Sequence, residues 1–145
     1  MTAFYDRPHT VAEEEIDAQQ HVHNLRYLQW ALWAAGDHTR ALGLDTIAEL
    51  HRGFGFVVRE HAAVYRAAAL AGEEIVIRTW ISQLDRVSSW RKSYVCRPAD
   101  QKVLTRIDTR WVYADLKAHK AVAIPETIRD SAVVLEKTPP MPWDE

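Results

Sequence analysis

A cluster of polar side chains stands directly before a run of residues with helical, apolar spacing. Residues 15–30 have the sequence EIDAQQHVHNLRYLQW, in which Asp17 is followed by two glutamines, two histidines and an asparagine. Core packing does not require such a cluster. A carboxylate beside a helix start can act as a nucleophile or general base, and the free N–H groups of the first turn can hold an oxyanion. The pattern predicts a catalytic loop in which Asp17 is the reacting group.

Asp17 also has a simpler interpretation as a turn-forming or capping residue, because aspartate is common at both positions. Asn24 stands immediately before the helical pattern and is the better predicted N-cap, which leaves Asp17 free for chemistry. His21 and His23 provide two metal-binding side chains, but no third ligand stands at a suitable spacing. We therefore predict no metal and no cofactor, and we expect His21 to hold the loop by hydrogen bonds.

Other nucleophiles in the sequence lack the surroundings that activate them. Cys96 lies in a predicted strand and is expected to be a packing residue. Ser88 and Ser89 lie in a predicted turn without a G-x-S-x-G motif, and the five glycines form no phosphate-binding loop. The loop around Asp17 remains the candidate for chemistry.

The composition is that of a globular chain of 145 residues, and we expect one domain over residues 1–145. A net charge of −2 argues against a nucleic-acid-binding module, which would be strongly basic. One cysteine excludes an internal disulfide and suits a reducing compartment. We see no signal peptide and no apolar run of the about 18 residues that a membrane span needs, so we expect a soluble, cytoplasmic protein.

One long helix is predicted over residues 24–44, where Leu25, Leu28, Leu32 and Ala35 recur at three- and four-residue steps. Its polar positions form a narrow arc, which predicts a helix enclosed over most of its circumference. We expect Leu28 and Leu32 to be fully buried under a sheet. The arc consists of Arg26, Gln29, Trp33, Asp37 and Arg40. We expect Trp33 to be covered by a loop or a subunit.

The remaining pattern is dominated by two-residue alternation. A first strand is predicted over residues 8–16 and a short second helix over 45–53. Four further strands are predicted over 54–68, 73–86, 88–98 and 102–116, with a fifth over 120–124, a C-terminal helix over 125–135 and a loose tail from 137. Strands that follow one another without helices form antiparallel sheets. The sequence predicts an α+β fold in which a curved antiparallel sheet wraps around one long helix.

The polar cluster also matches a family signature. In the segment IDAQQHVHNLRYLQW, the spacing of Asp17, His21, Val22, Asn24 and Tyr27 resembles that of hotdog-fold acyl thioesterases of the 4-hydroxybenzoyl-CoA and acyl-carrier-protein thioesterase kind. The segments FVVREHAAVYRAAALAGEEIVIRTWI and TRWVYADLKAHKAVAIPETI resemble later parts of that family. The resemblance covers roughly residues 10–130 and implies a five- or six-stranded sheet around one helix.

The resemblance also implies a chemistry for the loop. Asp17 takes the position of the carboxylate that attacks the thioester or activates water, and a backbone N–H near Asn24 polarises the carbonyl. His21, His23, Asn24 and Tyr27 would support the loop and the oxyanion. The branch with a glutamate on the long helix is disfavoured, because this helix has none. Gln20 replaces a glycine that is common in the aspartate branch.

The resemblance implies an acyl-CoA or acyl-carrier-protein substrate. A single sheet around one helix leaves an edge strand and one sheet face open, so we expect a homodimer joined edge to edge, with a tetramer left open. Tyr65 could shorten the acyl pocket. Arg86, Arg91 and Lys92 could hold nucleotide phosphates, with ordinary surface charge as the alternative. The competing functions are non-catalytic binding of acyl or aromatic ligands, and dehydration, whose usual Asp/His motif we do not find.

Overall fold

A computed structural model describes residues 3–144 of the chain. The helices are α1 (Asn24–Ala41), α2 (Thr46–His51) and α3 (Glu126–Ser131). The strands are β1 (Phe4–Thr10), β2 (Phe54–Tyr65), β3 (Glu74–Leu84), β4 (Ser88–Arg97), β5 (Lys102–Asp115) and β6 (Lys120–Ala121). Short 3₁₀ turns cover Glu13–Glu15 and Pro98–Asp100. Over residues 3–144, no helix has the length and apolar character to cross a membrane.

The strands form one antiparallel sheet in the order β1-β3-β4-β5-β2, and β6 pairs with the end of β5. β1 and β2 are therefore the two edge strands. The sheet curls around α1, which packs mainly against β1 and β3. This architecture confirms the predicted α+β class and the hotdog fold.

The first strand differs from its prediction. It runs from Phe4 to Thr10 and pairs with β3 from Phe4↔Trp80 to Thr10↔Glu74, whereas residues 8–16 were predicted. The chain leaves the sheet because residues 13–15 form a 3₁₀ turn, in which the Glu15 carboxylate accepts a hydrogen bond from Ala12 N at 2.9 Å. Pro8 lies within this edge strand, where a residue without an N–H is tolerated.

The buried face of α1 is not the one that the leucine spacing predicted. Leu25 is 59% exposed, Leu32 is 37% exposed and Leu28 is half-buried, so the predicted burial of Leu28 and Leu32 is wrong in the single chain. The buried residues are Tyr27, Trp30, Ala31, Ala34, Ala35 and His38. Three alanines on this face allow close approach to the sheet, and Trp30 fills the space beside them. The helix is therefore less enclosed than expected.

Trp33 lies on the exposed side of α1 rather than under other structure. Its side chain is 38% exposed, and the Arg7 guanidinium lies 5.3 Å from its ring centroid. Within residues 3–144, the His9 ring also lies near Trp33, with the ring centroids 6.1 Å apart.

The sheet face that points toward α1 is divided into an apolar half and a polar half. Ile75, Ile77, Val95, Leu104 and Ile107 form the apolar half and belong to the main core. The other half carries a cross-strand row, here called the inner polar row, of Arg91, Thr109 and His61, in register on β4, β5 and β2. Thr79 and Ser93 lie next to this row, with their hydroxyls 2.9 Å apart.

The C-terminal segment differs from its prediction, because α3 ends at Ser131 whereas a helix over 125–135 and a loose tail from 137 were predicted. Within the predicted helix, Val134 instead forms a parallel bridge with Ile81, and Leu135 N donates to Ile81 O at 2.8 Å. Pro139 is buried, and the Arg78 guanidinium donates to the Pro140 carbonyl. The segment thus lies against β3, beside the start of β1 at Phe4.

Candidate active site

Asp17 lies at the base of a tight hairpin turn. Ile16 and Val22 form an antiparallel bridge, Asp17 N donates to His21 O at 2.8 Å, and Gln20 N donates to Asp17 O at 3.0 Å. Gln20 closes the turn with a φ of 66°, in the left-handed region that favours glycine. The turn holds the loop predicted to be catalytic in one defined conformation.

The Asp17 carboxylate has one free oxygen. Its Oδ1 accepts a hydrogen bond from Gln19 N at 2.8 Å, whereas Oδ2 has no hydrogen-bond partner within residues 3–144. The side chain is half-buried. A carboxylate that is fixed through one oxygen and free at the other suits both nucleophilic attack and proton abstraction.

The first residue of α1 presents a free backbone donor. His23, rather than the predicted Asn24, is the N-cap: its Nδ1 accepts from Leu25 N at 3.2 Å, and its own N–H donates to Glu15 O at 2.9 Å. His23 takes this role because its backbone is non-helical and its ring reaches the next turn. The Asn24 N–H has no hydrogen-bond partner in the described part of the chain. That donor is available for an oxyanion.

Glu15 is a buried carboxylate that the sequence analysis did not select. Its side chain accepts hydrogen bonds from His9 Nε2 at 2.7 Å, Trp30 Nε1 at 2.7 Å and Ala12 N at 2.9 Å, and the residue is 3% exposed. Burial alone would raise the pKa of Glu15, but these hydrogen bonds outweigh it and hold the pKa below 4.5. Glu15 is therefore ionised, and its carboxylate already accepts three hydrogen bonds. This arrangement suits a residue that positions its neighbours rather than one that attacks a substrate.

A cleft of about 440 Å³ joins the loop to the helix start. Its lining residues are Glu14, Glu15, Ile16, Asp17, His23, Leu25, Arg26 and Gln29. Arg26, which the sequence analysis assigned only to the polar arc of the helix, donates through Nη1 to Gln29 Oε1 at 3.0 Å. The cleft therefore combines the free Asp17 carboxylate with a positive charge beside the start of α1.

The two predicted tyrosines occupy different positions near the helix start. Tyr27 is buried, its hydroxyl accepts from Ala69 N at 2.9 Å, and burial raises its pKa. Tyr65 is exposed, donates to Asn24 O at 3.2 Å and packs against the Tyr27 ring at 5.6 Å. Tyr27 therefore fits loop support, and Tyr65 lies at the surface beside the free Asn24 donor.

His21 is exposed and holds the turn through its backbone carbonyl. Its side chain lines a second cleft, of about 470 Å³, together with Leu70, Glu73 and Arg97. The Arg97 guanidinium in that cleft already bonds to Glu73 and Asp100, at 3.0 Å and 2.8 Å. The second cleft thus has no free cation from Arg97 to offer a ligand.

The three predicted phosphate-binding cations are not part of the Asp17 cleft. Arg86 is exposed, and Lys92 pairs with Asp108 at 3.1 Å. Arg91 is only 6% exposed and donates through Nη1 to His38 Nδ1 at 2.9 Å. Ordinary surface charge therefore fits Lys92, but it does not describe Arg91.

Within residues 3–144, no group of three or more histidine, cysteine or acidic side chains is placed to hold a metal ion. Cys96 is buried, and burial raises the pKa of its thiol to about 12. A thiol that stays protonated at neutral pH is a poor nucleophile.

Comparisons with known proteins bear on the whole chain. The model of the thioesterase-like superfamily matches residues 11–132. No curated protein matches the sequence significantly. A 1,4-dihydroxy-2-naphthoyl-CoA thioesterase from Synechocystis is similar in structure with a TM-score of 0.84 and 16% identity, covering 93% of this chain and 99% of that one.

Two further structures show the same fold. The probable thioesterase YbaW from Escherichia coli has a TM-score of 0.76 and 24% identity, covering 88% of this chain and 95% of that one. A 12:0-ACP thioesterase from Umbellularia californica has a TM-score of 0.79 and 17% identity, covering 89% of this chain and 49% of that one. Two thioesterases and one probable thioesterase thus share this architecture at low sequence identity.

Proposed function

The chain belongs to the thioesterase-like superfamily, and from that premise we propose that it hydrolyses an acyl thioester carried by coenzyme A or by acyl carrier protein. One observation carries the proposal: the free Oδ2 of Asp17 and the free N–H of Asn24 lie at the same end of α1. His23 and Leu25, which flank Asn24, line the cleft that contains Asp17. A carboxylate and an oxyanion donor are the two groups that the reaction needs.

The chemistry follows from these two groups. The thioester oxygen accepts the Asn24 N–H while negative charge develops on it, and the positive end of the α1 dipole adds to this stabilisation. Asp17 either attacks the thioester carbon or takes a proton from the attacking water. A carbon–oxygen bond forms, the carbon–sulfur bond breaks and the thiolate leaves. When water attacks, the free acid forms directly; when Asp17 attacks, water then cleaves the resulting anhydride and releases the acid and the Asp17 carboxylate. Because thiolates leave readily, no strong acid is required, and a triad is unnecessary.

Three neighbours support this geometry. His23 caps the helix and so fixes the direction of the Asn24 N–H. Glu15 binds Trp30 of α1 through its side chain and His23 through its backbone carbonyl. Tyr65 holds the Asn24 carbonyl from the opposite side. In this proposal they orient the donor and the carboxylate, and the reacting atoms touch only Asp17 and Asn24.

We also propose that two copies form a homodimer along β2. This edge strand carries exposed apolar side chains at Val57, Val58 and Val64. Leu25 and Leu32 on α1 are exposed as well, and an open sheet edge favours pairing with another chain. Acyl groups would then bind near the boundary between protomers. Sedimentation at micromolar concentration should give the dimer mass, and a fully active monomer would contradict this arrangement.

The test of the activity is steady-state hydrolysis of a panel of acyl-CoA and acyl-carrier-protein thioesters by wild type and Asp17→Asn. The variant keeps the shape and removes the charge, so kcat should fall by about 10²–10⁴ with a much smaller change in KM. Glu14→Gln is the matched control, because Glu14 lines the same cleft and is exposed. Circular dichroism verifies that each variant is folded.

An Asp17→Asn enzyme within about threefold of the wild-type kcat would place the catalytic group elsewhere. Tight binding of an acyl-CoA without turnover by the wild type would favour the alternative of a non-catalytic acyl-binding protein.

A further inference from the structure

Arg91 is a buried positive charge without an acidic partner. It is 6% exposed, and no carboxylate within residues 3–144 lies within ion-pair distance of its guanidinium. Buried charges are normally paired, because transferring an isolated charge out of water is unfavourable. The guanidinium can therefore accept a negative group that the described chain does not supply, and its unpartnered nitrogens are not sealed from solvent.

The geometry of the guanidinium shows which edge is available. Nη1 donates to His38 Nδ1 at 2.9 Å and to Thr79 Oγ1 at 3.2 Å. Nε and Nη2 donate to no residue of the described chain. These two nitrogens lie in one plane and can donate parallel hydrogen bonds to the two oxygens of a carboxylate. One edge of Arg91 is thus fixed by the protein, and the other is free.

The surroundings of that free edge are polar. Arg91 is in register with Thr109, and Thr109 is in register with His61, whose Nδ1 lies 2.9 Å from the Thr109 hydroxyl. Burial lowers the pKa of His61, and burial together with Arg91 lowers that of His38 to about 4. Both imidazoles are therefore neutral at pH 7. They neither cancel the positive charge of Arg91 nor add a second positive charge beside it.

We propose that Arg91 and the inner polar row bind a carboxylate at the distal end of the acyl group, so that the preferred substrates are thioesters of dicarboxylic acids. This inference rests on the proposed thioesterase function. A carboxylate fits better than the phosphates of the carrier, because Arg91 is 6% exposed and one distal carboxylate is less costly to bury than a multiply charged nucleotide. A flat group with two oxygens also matches the one free edge of the guanidinium.

The length of α1 bears on which acyl groups can reach this site. His38, which contacts Arg91, lies roughly 21 Å further along the helix axis than Asn24, at about 1.5 Å per residue. Within one chain, only a long acyl group spans that distance from the reacting carbonyl. A short one can reach if Asp17 and Arg91 of different protomers serve the same substrate. The test therefore uses two chain lengths.

The experiment compares matched pairs of substrates that differ only in the distal carboxylate: glutaryl-CoA with pentanoyl-CoA, and hexadecanedioyl-CoA with hexadecanoyl-CoA. Wild type should favour the acidic member of at least one pair by about tenfold or more in kcat/KM, as expected for hydrogen bonds to a charged group. Arg91→Gln should lose this preference, because kcat/KM falls more for the acidic member of each pair than for the neutral member. Arg106→Gln is the control, because Arg106 is exposed and lies over the Tyr94 ring.

A second measurement separates this inference from the proposed function. If neutral thioesters are hydrolysed as well as acidic ones and Arg91→Gln alters neither, the carboxylate site is wrong and the thioesterase activity stands. If no thioester is hydrolysed, thermal melting decides: sodium glutarate should raise the Tm of wild type and not that of Arg91→Gln. An equal rise with sodium chloride at the same ionic strength, or no rise at all, overturns the site.

If Arg91→Gln does not fold, two tests of the carboxylate site remain. Arg91→Lys keeps the charge but lacks the fork, so it should retain only part of the preference for the acidic substrate. The wild-type ratios stand by themselves: equal kcat/KM within both pairs, with no melting shift by glutarate, overturns the proposal.

Discussion

The Trp30 indole N–H donates to Glu15 Oε2 at 2.7 Å, and this bond ties the wall of the Asp17 cleft to the middle of α1. The other carboxylate oxygen of Glu15 holds His9 of β1 at 2.7 Å. One buried side chain thus joins the first strand, the long helix and the loop in which Asp17, the proposed reacting group, stands two residues later.

We predict that Glu15→Gln lowers the free energy of unfolding by about 1–3 kcal/mol, because an amide cannot accept all three hydrogen bonds and leaves a buried donor unsatisfied. It should also lower kcat, since the loop and the helix start lose their common anchor. Urea denaturation and steady-state kinetics measure the two effects. The exposed neighbour Glu14→Gln should change both much less, and equal behaviour of the two variants would contradict the positioning role.

We predict a pH effect from His38. Its pKa is lowered from 6.5 to about 4, so folding favours the neutral ring. The stability that this provides is fully present above pH 6.5 and is lost as the pH falls toward 4. His38→Gln keeps an acceptor for Arg91 but does not titrate. Its unfolding free energy should fall less steeply with acid over this range than that of wild type, and parallel curves would show that His38 does not titrate as described.

We predict that Gln20→Gly stabilises the chain. A residue other than glycine in the left-handed region costs roughly 1 kcal/mol, and the greater freedom of glycine in the unfolded chain offsets part of the gain. The melting temperature should rise slightly while kcat is retained. Gln19→Gly, one position earlier and without a positive φ, should lower it. A lower melting temperature for Gln20→Gly would mean that the Gln20 side chain makes a contribution that the backbone argument omits.

We predict opposite outcomes for two neighbouring helix positions. Trp30→Ala should lower the free energy of unfolding by about 3–5 kcal/mol, because a fully buried indole and its bond to Glu15 are removed. Leu32→Ala should have a much smaller effect on unfolding but should weaken the proposed dimer. Urea denaturation and sedimentation separate the two effects. Equal destabilisation by both substitutions would mean that the exposed face of α1 is packed in a way that the single chain does not show.

Helices and strands that depend on local residue spacing were predicted well from the sequence. The start of α1 at Asn24 and the four long strands follow from residue spacing, which reports the repeat of each element directly. The first strand was misplaced because its end depends on the Glu15 side chain folding back to Ala12 N. A bond of that kind leaves no periodic trace in a sequence.

The sequence predicted less well which side chains point toward the core and which toward solvent. Leucine spacing selected the wrong side of α1, because the alanines that allow close packing resemble weak apolar positions. Glu15 was overlooked, and Arg91 was considered only as a phosphate-binding residue or as surface charge, since charged residues are usually solvated. Their burial depends on partners distant in sequence: Trp30 for one, and His38 for the other.

The two edges of the sheet differ in a way that limits how copies of the chain can aggregate. β1 contains Pro8 and the charged residues Asp6 and Arg7, and such side chains disfavour the addition of another strand. Beyond the start of β1 at Phe4, the segment through Val134 pairs with β3 instead. Growth of a fibre requires a usable edge on both sides of each sheet, whereas within residues 3–144 β2 is the edge open to extension. The proposed dimer through β2 would therefore be a closed assembly of two copies that cannot propagate.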